Sequence, residues 1–335
     1  MKDMENEYAD AHIPVKNSKN IKNIQMFFLE IVGVVSFLAI IGTAAGFLGR
    51  LHWFVDNFSA FRIQYCLILL VGAIIMGLGK KYRMCAIISV FALLNLILIL
   101  PFYLGSGLES GTQQSSKLMM FNVNTGNSEY NAVSDYIKEI DPDFVALLEL
   151  NTAWWRNIEP LLEQYPYHEK RLRADNFGIA FLSKYPIESE IVTGMSNIDV
   201  PSIIAVVKNN EKRLTIITTH PLPPVGELYF TNRNLQLEKL AQLVGSIEGN
   251  IILAGDLNVA PWSVFFSGFM DDSMLRDSSQ GFGIQPSWPT MLPLLYTPID
   301  HCLVSENVVI HNRQTGPDLG SDHLPIVVEF SLRDD

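Results

Sequence analysis

The chain has 335 residues, 48% of them apolar and 18% charged, with a formal net charge of −11. That length allows one large domain or two ordinary ones. The acidic balance argues against tight nonspecific binding to nucleic acid or to an anionic membrane surface, which would need a basic stripe. Three cysteines provide no disulfide framework.

The apolar excess sits in the first third of the chain. Three stretches, at about 25–48, 63–78 and 84–104, each approach the roughly 20 residues that cross a bilayer. The first carries Glu30 near its start, within reach of the interface, and its apolar core is too long for a cleaved signal peptide. Three such stretches in a row with almost no charge disfavour buried core helices. Lys16, Lys19 and Lys22 precede the first, and Lys80, Lys81 and Arg83 fill the loop between the second and third. The intervening loop has only Arg50 and Arg62. Excess Lys and Arg marks the cytoplasmic side. The expected arrangement is a cytoplasmic tail over 1–24 and a membrane domain over 25–104 with three transmembrane helices. Everything after residue 105 is then expected beyond the cell (inner) membrane, periplasmic or extracytoplasmic.

Residues 105–116 are polar and Gly/Ser-rich, and read as a flexible linker. Beyond them, strand-like and helix-like pieces alternate. Strands are expected at 117–123, 144–150, 178–183, 203–208, 214–219, 251–254, 299–305 and 326–330. Helices are expected at 130–140, within 152–164, and at 232–247. This pattern predicts an α+β layered sandwich over 117–335. Residues 105–335 hold 29 acidic and 15 basic side chains, which weighs against long DNA or RNA as a ligand.

The most informative run is Ile251-Ile252-Leu253-Ala254-Gly255-Asp256-Leu257-Asn258. A buried-looking strand ends at Gly and then presents a carboxylate and an amide two residues apart. In an extended strand those two side chains share a face; the bland alternative is a strand followed by an Asx turn. Other polar residues also fall at strand ends: Asn122 and Asn124, Glu149 amid leucines, His220 after an apolar run, Asp300-His301, and Ser321-Asp322-His323 before the last strand. A carboxylate is rarely buried without a partner or a metal. So many polar residues at strand ends make a shared site the economical account.

These motifs resemble those of the endonuclease/exonuclease/phosphatase superfamily, and the chain is similar to a membrane-anchored bacterial branch of it. The resemblance covers about residues 117–332. It rests on Phe121-Asn122-Val123-Asn124, Leu148-Glu149, Gly178–Ser183, Thr219-His220-Pro221, Gly255-Asp256-Leu257-Asn258, Ile299-Asp300-His301 and Gly320-Ser321-Asp322-His323-Leu324-Pro325-Ile326. It implies a four-layer α/β/β/α sandwich of the deoxyribonuclease-like kind, with Mg²⁺ as cofactor and Mn²⁺ as the alternative, and hydrolysis of a phosphoester. By the same resemblance Glu149 is the principal metal ligand, helped by Asn122 and Asp322. Asp256 orients and deprotonates water, Asn258 binds the phosphoryl oxygens, His323 paired with Asp300 contacts the phosphate, and His220 supplies a second imidazole. Asn124, Asn176 and Arg233 are the candidates for substrate binding. Asn124 stands where relatives often have Asp, so no two-metal centre is expected. His301 stands where many relatives have an aromatic residue.

The expected function is a membrane-tethered, metal-dependent phosphodiesterase acting on nucleic acid, a nucleotide or a phospholipid headgroup, with the bilayer and no evident protein as partner. The alternatives are a phosphomonoesterase for a lipid or inositol phosphate, and a catalytically silent binding domain.

Overall fold

The structure, a computed structural model, describes residues 16–105, 115–209 and 212–333. Most of the expected tail and linker, 1–15 and 106–114, lies outside them.

The first part is helical: α1 (Lys16–Ala45), a short α2 (Trp53–Asp56), α3 (Arg62–Leu78) and α4 (Tyr82–Ile99). Asn57–Phe61 forms a 3₁₀ turn between α2 and α3. Three runs, Asn20–Ala45, Trp53–Leu78 and Tyr82–Phe102, are long and apolar enough to cross a membrane. The second, shortest by sequence, reaches 26 residues because α2 and the 3₁₀ turn extend it. Large apolar side chains such as Phe37, Leu67 and Val90 stay exposed on these helices, as expected of surfaces that face lipid.

The remainder contains two mixed six-stranded sheets among the described residues. The first uses β1 (Ser116–Asn122), β2 (Phe144–Leu148), β3 (Tyr167–Arg171), β4 (Ile179–Ser183) and two later strands. The second uses β5 (Ile187–Val192), β6 (Ser202–Asn209), β7 (Lys212–Thr219), β8 (Asn250–Asp256), β9 (Arg276–Asp277) and β10 (Asp300–Val304). Then β11 (Val308–Thr315) and β12 (Ile326–Leu332) return to the first sheet. The strand orders are β11-β12-β1-β2-β4-β3 and β5-β6-β7-β8-β10-β9. Each sheet has one parallel pair at its centre, β1/β2 or β7/β8, and antiparallel pairs around it. A parallel pair needs a crossover. Here the crossovers are α5 (Tyr130–Ile140) and α7 (Glu227–Gly245). Both sheets therefore repeat one plan.

Central strands bury both faces. Leu118 and Met120 of β1 meet Ile252 and Ala254 of β8 in the core between the sheets. Met119 and Phe121 face outward onto α5 and α6 (Thr152–Ile158). Ile251 and Leu253 face outward onto α7 and α8 (Val264–Ser273). The result is the expected four-layer α/β/β/α sandwich. Local chemistry sets the helix ends: the Asn151 side chain accepts from the Trp154 N–H at 2.9 Å to cap α6, and α5 stops at Asp141, left-handed ahead of Pro142.

The sandwich is docked on one end of the helices. Asp56, the last residue of α2, forms a buried ion pair of 2.7 Å with Arg233 of α7 and accepts from Ser263 Oγ at 2.6 Å. Asn57 Nδ2 donates to Pro224 O at 3.3 Å, Gln64 Nε2 to Tyr296 O at 3.1 Å, and Trp262 Nε1 to Leu98 O at 3.1 Å. Phe102 O accepts from the N–H groups of Gly281 and Gly283. Lys80 and Lys81, between α3 and α4, and Arg83, in the first turn of α4, lie at the opposite end. Hence the sandwich is held by direct contacts and not by the linker alone.

Candidate active site

The candidate residues converge on one rim, where β1, β2, β7 and β8 end and β10 and β12 begin. Gly255 permits it on the β8 side: a Cβ there would collide with the Thr219 carbonyl of β7. Asp256 and Asn258 come together by a different route from the one their spacing suggests. The strand ends at Asp256, Asn258 is left-handed at φ 51°, and its N–H donates to Asp256 Oδ1 at 2.9 Å. This is the Asx turn, here serving the site. The end of β1 repeats it: Asn124, at φ 61°, donates its N–H to Asn122 Oδ1 at 3.1 Å. Glu149 is also left-handed, at φ 63°. A glutamate there is held against a cost of about 1–3 kcal/mol, a feature that clusters at functional sites.

Asn122 is the hub. Its fully buried Nδ2 lies 3.1 Å from Glu149 Oε1, 3.2 Å from Asp256 Oδ2 and 3.4 Å from His323 Nε2. Its two protons are directed at the two carboxylate oxygens. Glu149 Oε2 accepts from the Thr125 N–H at 3.0 Å. Asp256 Oδ2 lies 3.4 Å from His220 Nε2 and 3.6 Å from His323 Nε2. His323 Nδ1 lies 2.8 Å from Asp300 Oδ2, a carboxylate–imidazole pairing that fixes which nitrogen faces the cluster. Two of these bonds, Asn122–Asp256 and His323–Asp300, cross from one sheet to the other.

The charges reinforce each other. Burial pulls His323 down, but Asp300 and then Asp256 outweigh it and raise the imidazole to about 10. Burial likewise opposes charge on His220, and Asp256, with Glu149 farther off, carries its pKa above the ordinary value. Burial raises Asp256, yet the two imidazoles and the Asn258 N–H bring it below the usual carboxylate range. Asp256 is therefore ionised at neutral pH.

The other expected residues stand around this cluster. Asp322 accepts from Asn124 Nδ2 at 2.6 Å through one oxygen and from Trp288 Nε1 at 3.1 Å through the other. Asn124 is thus tied to Asp322. Asn176 is exposed in the turn before β4, and its neighbour Phe177 packs 5.5 Å from the His220 ring. Arg233 is a correction. Expected at the substrate, it is fully buried and spends its donors on Asp56, Asn234 and the Asn258 carbonyl; it braces Asn258 from behind. His301 also lies behind the site, with Nε2 2.9 Å from Val259 O and its ring against Phe266. Sequence reasoning missed Thr125 and Arg313, and quoted Ser321 within its motif without giving it a role. Ser321 Oγ donates to Asn122 O at 2.7 Å, and buried Arg313 donates to Asp300 O at 3.3 Å. Their signal is weak, because small hydroxyls and a lone arginine on a polar strand look like ordinary surface residues.

The donor set fits a hard cation. Glu149, Asp256, Asp300 and Asp322 outnumber His220 and His323, so the cluster is negative even with both imidazoles charged. Asp300 Oδ1 and His220 Nδ1 are buried without partners. Ligand atoms of Asp256, Asp300 and His323 lie within 4.8 Å of one another. Glu149, whose Oε1 shares the Asn122 amide with Asp256 Oδ2, adds a further carboxylate of the hard oxygen type.

The profile of the Endonuclease/Exonuclease/phosphatase family matches residues 119–323. The chain belongs to that family. Members of the family generally depend on divalent metals and hydrolyse phosphoesters. Among solved structures, the chain is similar to an endonuclease/exonuclease/phosphatase from Bacteroides vulgatus, with a TM-score of 0.56 and 17% identity over 66% of this chain and 100% of that one. It is similar to D. rerio TDP2 complexed with single strand DNA product, with a TM-score of 0.56 and 18% identity over 65% and 100% of the two chains. A third, from Beutenbergia cavernae, gives 0.54 and 17% over 66% and 72%. At such identities the likeness is one of fold. No curated protein matches the chain.

Proposed function

We propose that this family member is a divalent-metal-dependent phosphodiesterase, served by Mg²⁺ and anchored in the cell membrane by three spans, with its sandwich on the extracytoplasmic side. The observation that carries the reading is the Asn122 hub, which gathers Glu149, Asp256 and His323 from both sheets within 3.4 Å of one nitrogen. The orientation is supported by the basic loop lying at the end of the helices away from the sandwich.

Glu149, with Asp256 near it, would hold the metal, and Asn122 would hold the adjacent phosphate oxygen. Asp322, which accepts from Asn124 and Trp288, would complete the metal shell. Asp256, ionised and facing two imidazoles, orients the attacking water and accepts its proton. Asn258 directs its amide at the phosphoryl oxygens as charge builds, its Nδ2 already fixed by Pro221 O at 2.9 Å. His323, kept protonated by Asp300, neutralises the phosphate. His220 is placed to protonate the leaving alcohol. The bound cation would add Lewis-acid polarisation of the phosphoryl group and acidify the water, several kcal/mol of transition-state stabilisation.

The test uses the full chain in detergent with bis-p-nitrophenyl phosphate, p-nitrophenyl phosphate and plasmid DNA, under Mg²⁺, Mn²⁺ or EDTA. Chelator-sensitive diester cleavage lost in His323→Ala supports the reading. Faster monoester cleavage would favour a phosphomonoesterase, and silence on all three a binding domain.

A further inference from the structure

Among the described residues after Gly105, eight large apolar side chains are exposed, and six of them sit in two short segments. Val225 and Leu228 lie just after His220; Met291, Leu292, Leu294 and Leu295 lie just after Trp288. Met291 and Leu294 are 84% and 86% exposed. Isolated exposed leucines need no explanation, but contiguous ones mark a contact surface.

Both segments are bonded to the spans. Asn57 Nδ2 donates to Pro224 O at 3.3 Å, and Gln64 Nε2 donates to Leu294 O at 3.2 Å and Tyr296 O at 3.1 Å. Gln64 belongs to α3, whose other end, Leu78, adjoins Lys80 and Lys81. Fourteen residues of helix rise about 21 Å, and the hydrocarbon layer is about 30 Å thick. With the lysines at one headgroup level, a segment that touches Gln64 lies at or below the opposite hydrocarbon boundary. An amide in an apolar span is costly unless it satisfies another polar group, and Gln64 does so for two loop carbonyls. Trp262, bonded to Leu98 O sixteen residues into α4, sits at a similar height, as interfacial tryptophans do.

The same segments border the catalytic cluster. Pro221 O holds the Asn258 amide, and Trp288 donates to Asp322 with its ring 6.4 Å from that of His323. Resting on phosphodiester hydrolysis at the Asn122 hub, we infer that the substrate is a phospholipid of the leaflet that these two segments enter. Its phosphate reaches the hub between them while its acyl chains stay in the bilayer. Water adds to phosphorus, one P–O ester bond breaks, and the departing alcohol takes the proton, so a phosphodiester and water give a phosphomonoester and an alcohol. The acidic sandwich fits a substrate delivered by the membrane better than a polyanion captured from solution.

The test reconstitutes the full chain in phosphatidylcholine–phosphatidylglycerol vesicles with Mg²⁺ and compares release of phosphomonoester with hydrolysis of bis-p-nitrophenyl phosphate. The expected result is cleavage of both by the unaltered chain. Leu294→Ser with Leu295→Ser should lose about tenfold on vesicles and retain the soluble activity, which also reports folding. An environment-sensitive dye on Met291→Cys should shift to the blue in vesicles relative to a dye on Met274→Cys. Cleavage of the soluble diester with intact vesicles overturns the inference and leaves the phosphodiesterase reading standing, as does an equal loss of both activities in the double variant. Failure on both substrates by the unaltered chain overturns both.

Discussion

Replacing Asp56 with Asn tests whether the helices and the sandwich form one mechanical unit. Asp56 and Arg233 are 2% and 0% exposed and meet at 2.7 Å. Asp56→Asn leaves the guanidinium buried with Asn234 Oδ1 and the Asn258 carbonyl as its remaining partners. Breaking one side of a buried pair costs about 3–5 kcal/mol, against about 0–1 kcal/mol for a solvated surface pair. For a domain of this size that is a fall in melting temperature of roughly 6–20 °C. Tryptophan fluorescence during heating in detergent, at fixed scan rate, reads it. Replacing the pair by apolar residues, Asp56→Leu with Arg233→Met, should recover much of the loss, because desolvation no longer has to be offset. Arg233 also holds the Asn258 carbonyl, so turnover of a soluble diester should fall in Asp56→Asn even below its melting temperature. A shift under about 2–4 °C, or strict additivity of the two single changes, would refute the reasoning.

Further outcomes follow from the cluster. Asp256→Asn should cut diester turnover by roughly 10²–10⁴, and near-normal turnover would remove Asp256 from the chemistry. Mg²⁺ at about 100 times its Kd should stabilise the unaltered chain by about 2.7 kcal/mol; Glu149→Gln should abolish that shift, and its persistence would place the metal elsewhere. Without metal, His323 is raised to about 10 by Asp300 and Asp256 against the pull of burial, from an unfolded value near 6.5. A raised folded pKa gives stability that is complete below the unfolded value and lost as pH climbs to the folded one. The chelated protein should therefore weaken between about pH 6.5 and 10, with a shallower slope in His323→Asn; a flat profile in the unaltered chain would contradict the pairing.

The sequence showed the interior of each sheet and hid its borders. All eight expected strands form, and the four unforeseen ones, β3, β5, β9 and β11, are the four edges. Tyr167–Arg171 and Ile187–Val192 are rich in charge, as edge strands are where they discourage pairing with other chains. Such a strand has no apolar run to read. The site was legible because carboxylates and imidazoles at the ends of apolar strands are hard to explain otherwise. Asp256 and Asn258 do meet, but an Asx turn and not strand periodicity joins them. Arg233 misled because a lone arginine near a phosphate motif suggests an anion. Its actual partner, Asp56, lies 177 residues earlier in a segment that composition assigns to the membrane.

The rim takes Asn122, Glu149 and His323 from one sheet and His220, Asp256 and Asp300 from the other. On the proposed mechanism, the distance between nucleophile and phosphate is gauged by the thickness of the apolar slab that separates the sheets, where Phe144, Phe181 and Phe330 face Ile216 and Cys302. A one-ångström error in alignment can slow a reaction a hundredfold. A methylene added to or removed from that slab would act as a shim, detuning the reaction from a place no substrate ever touches.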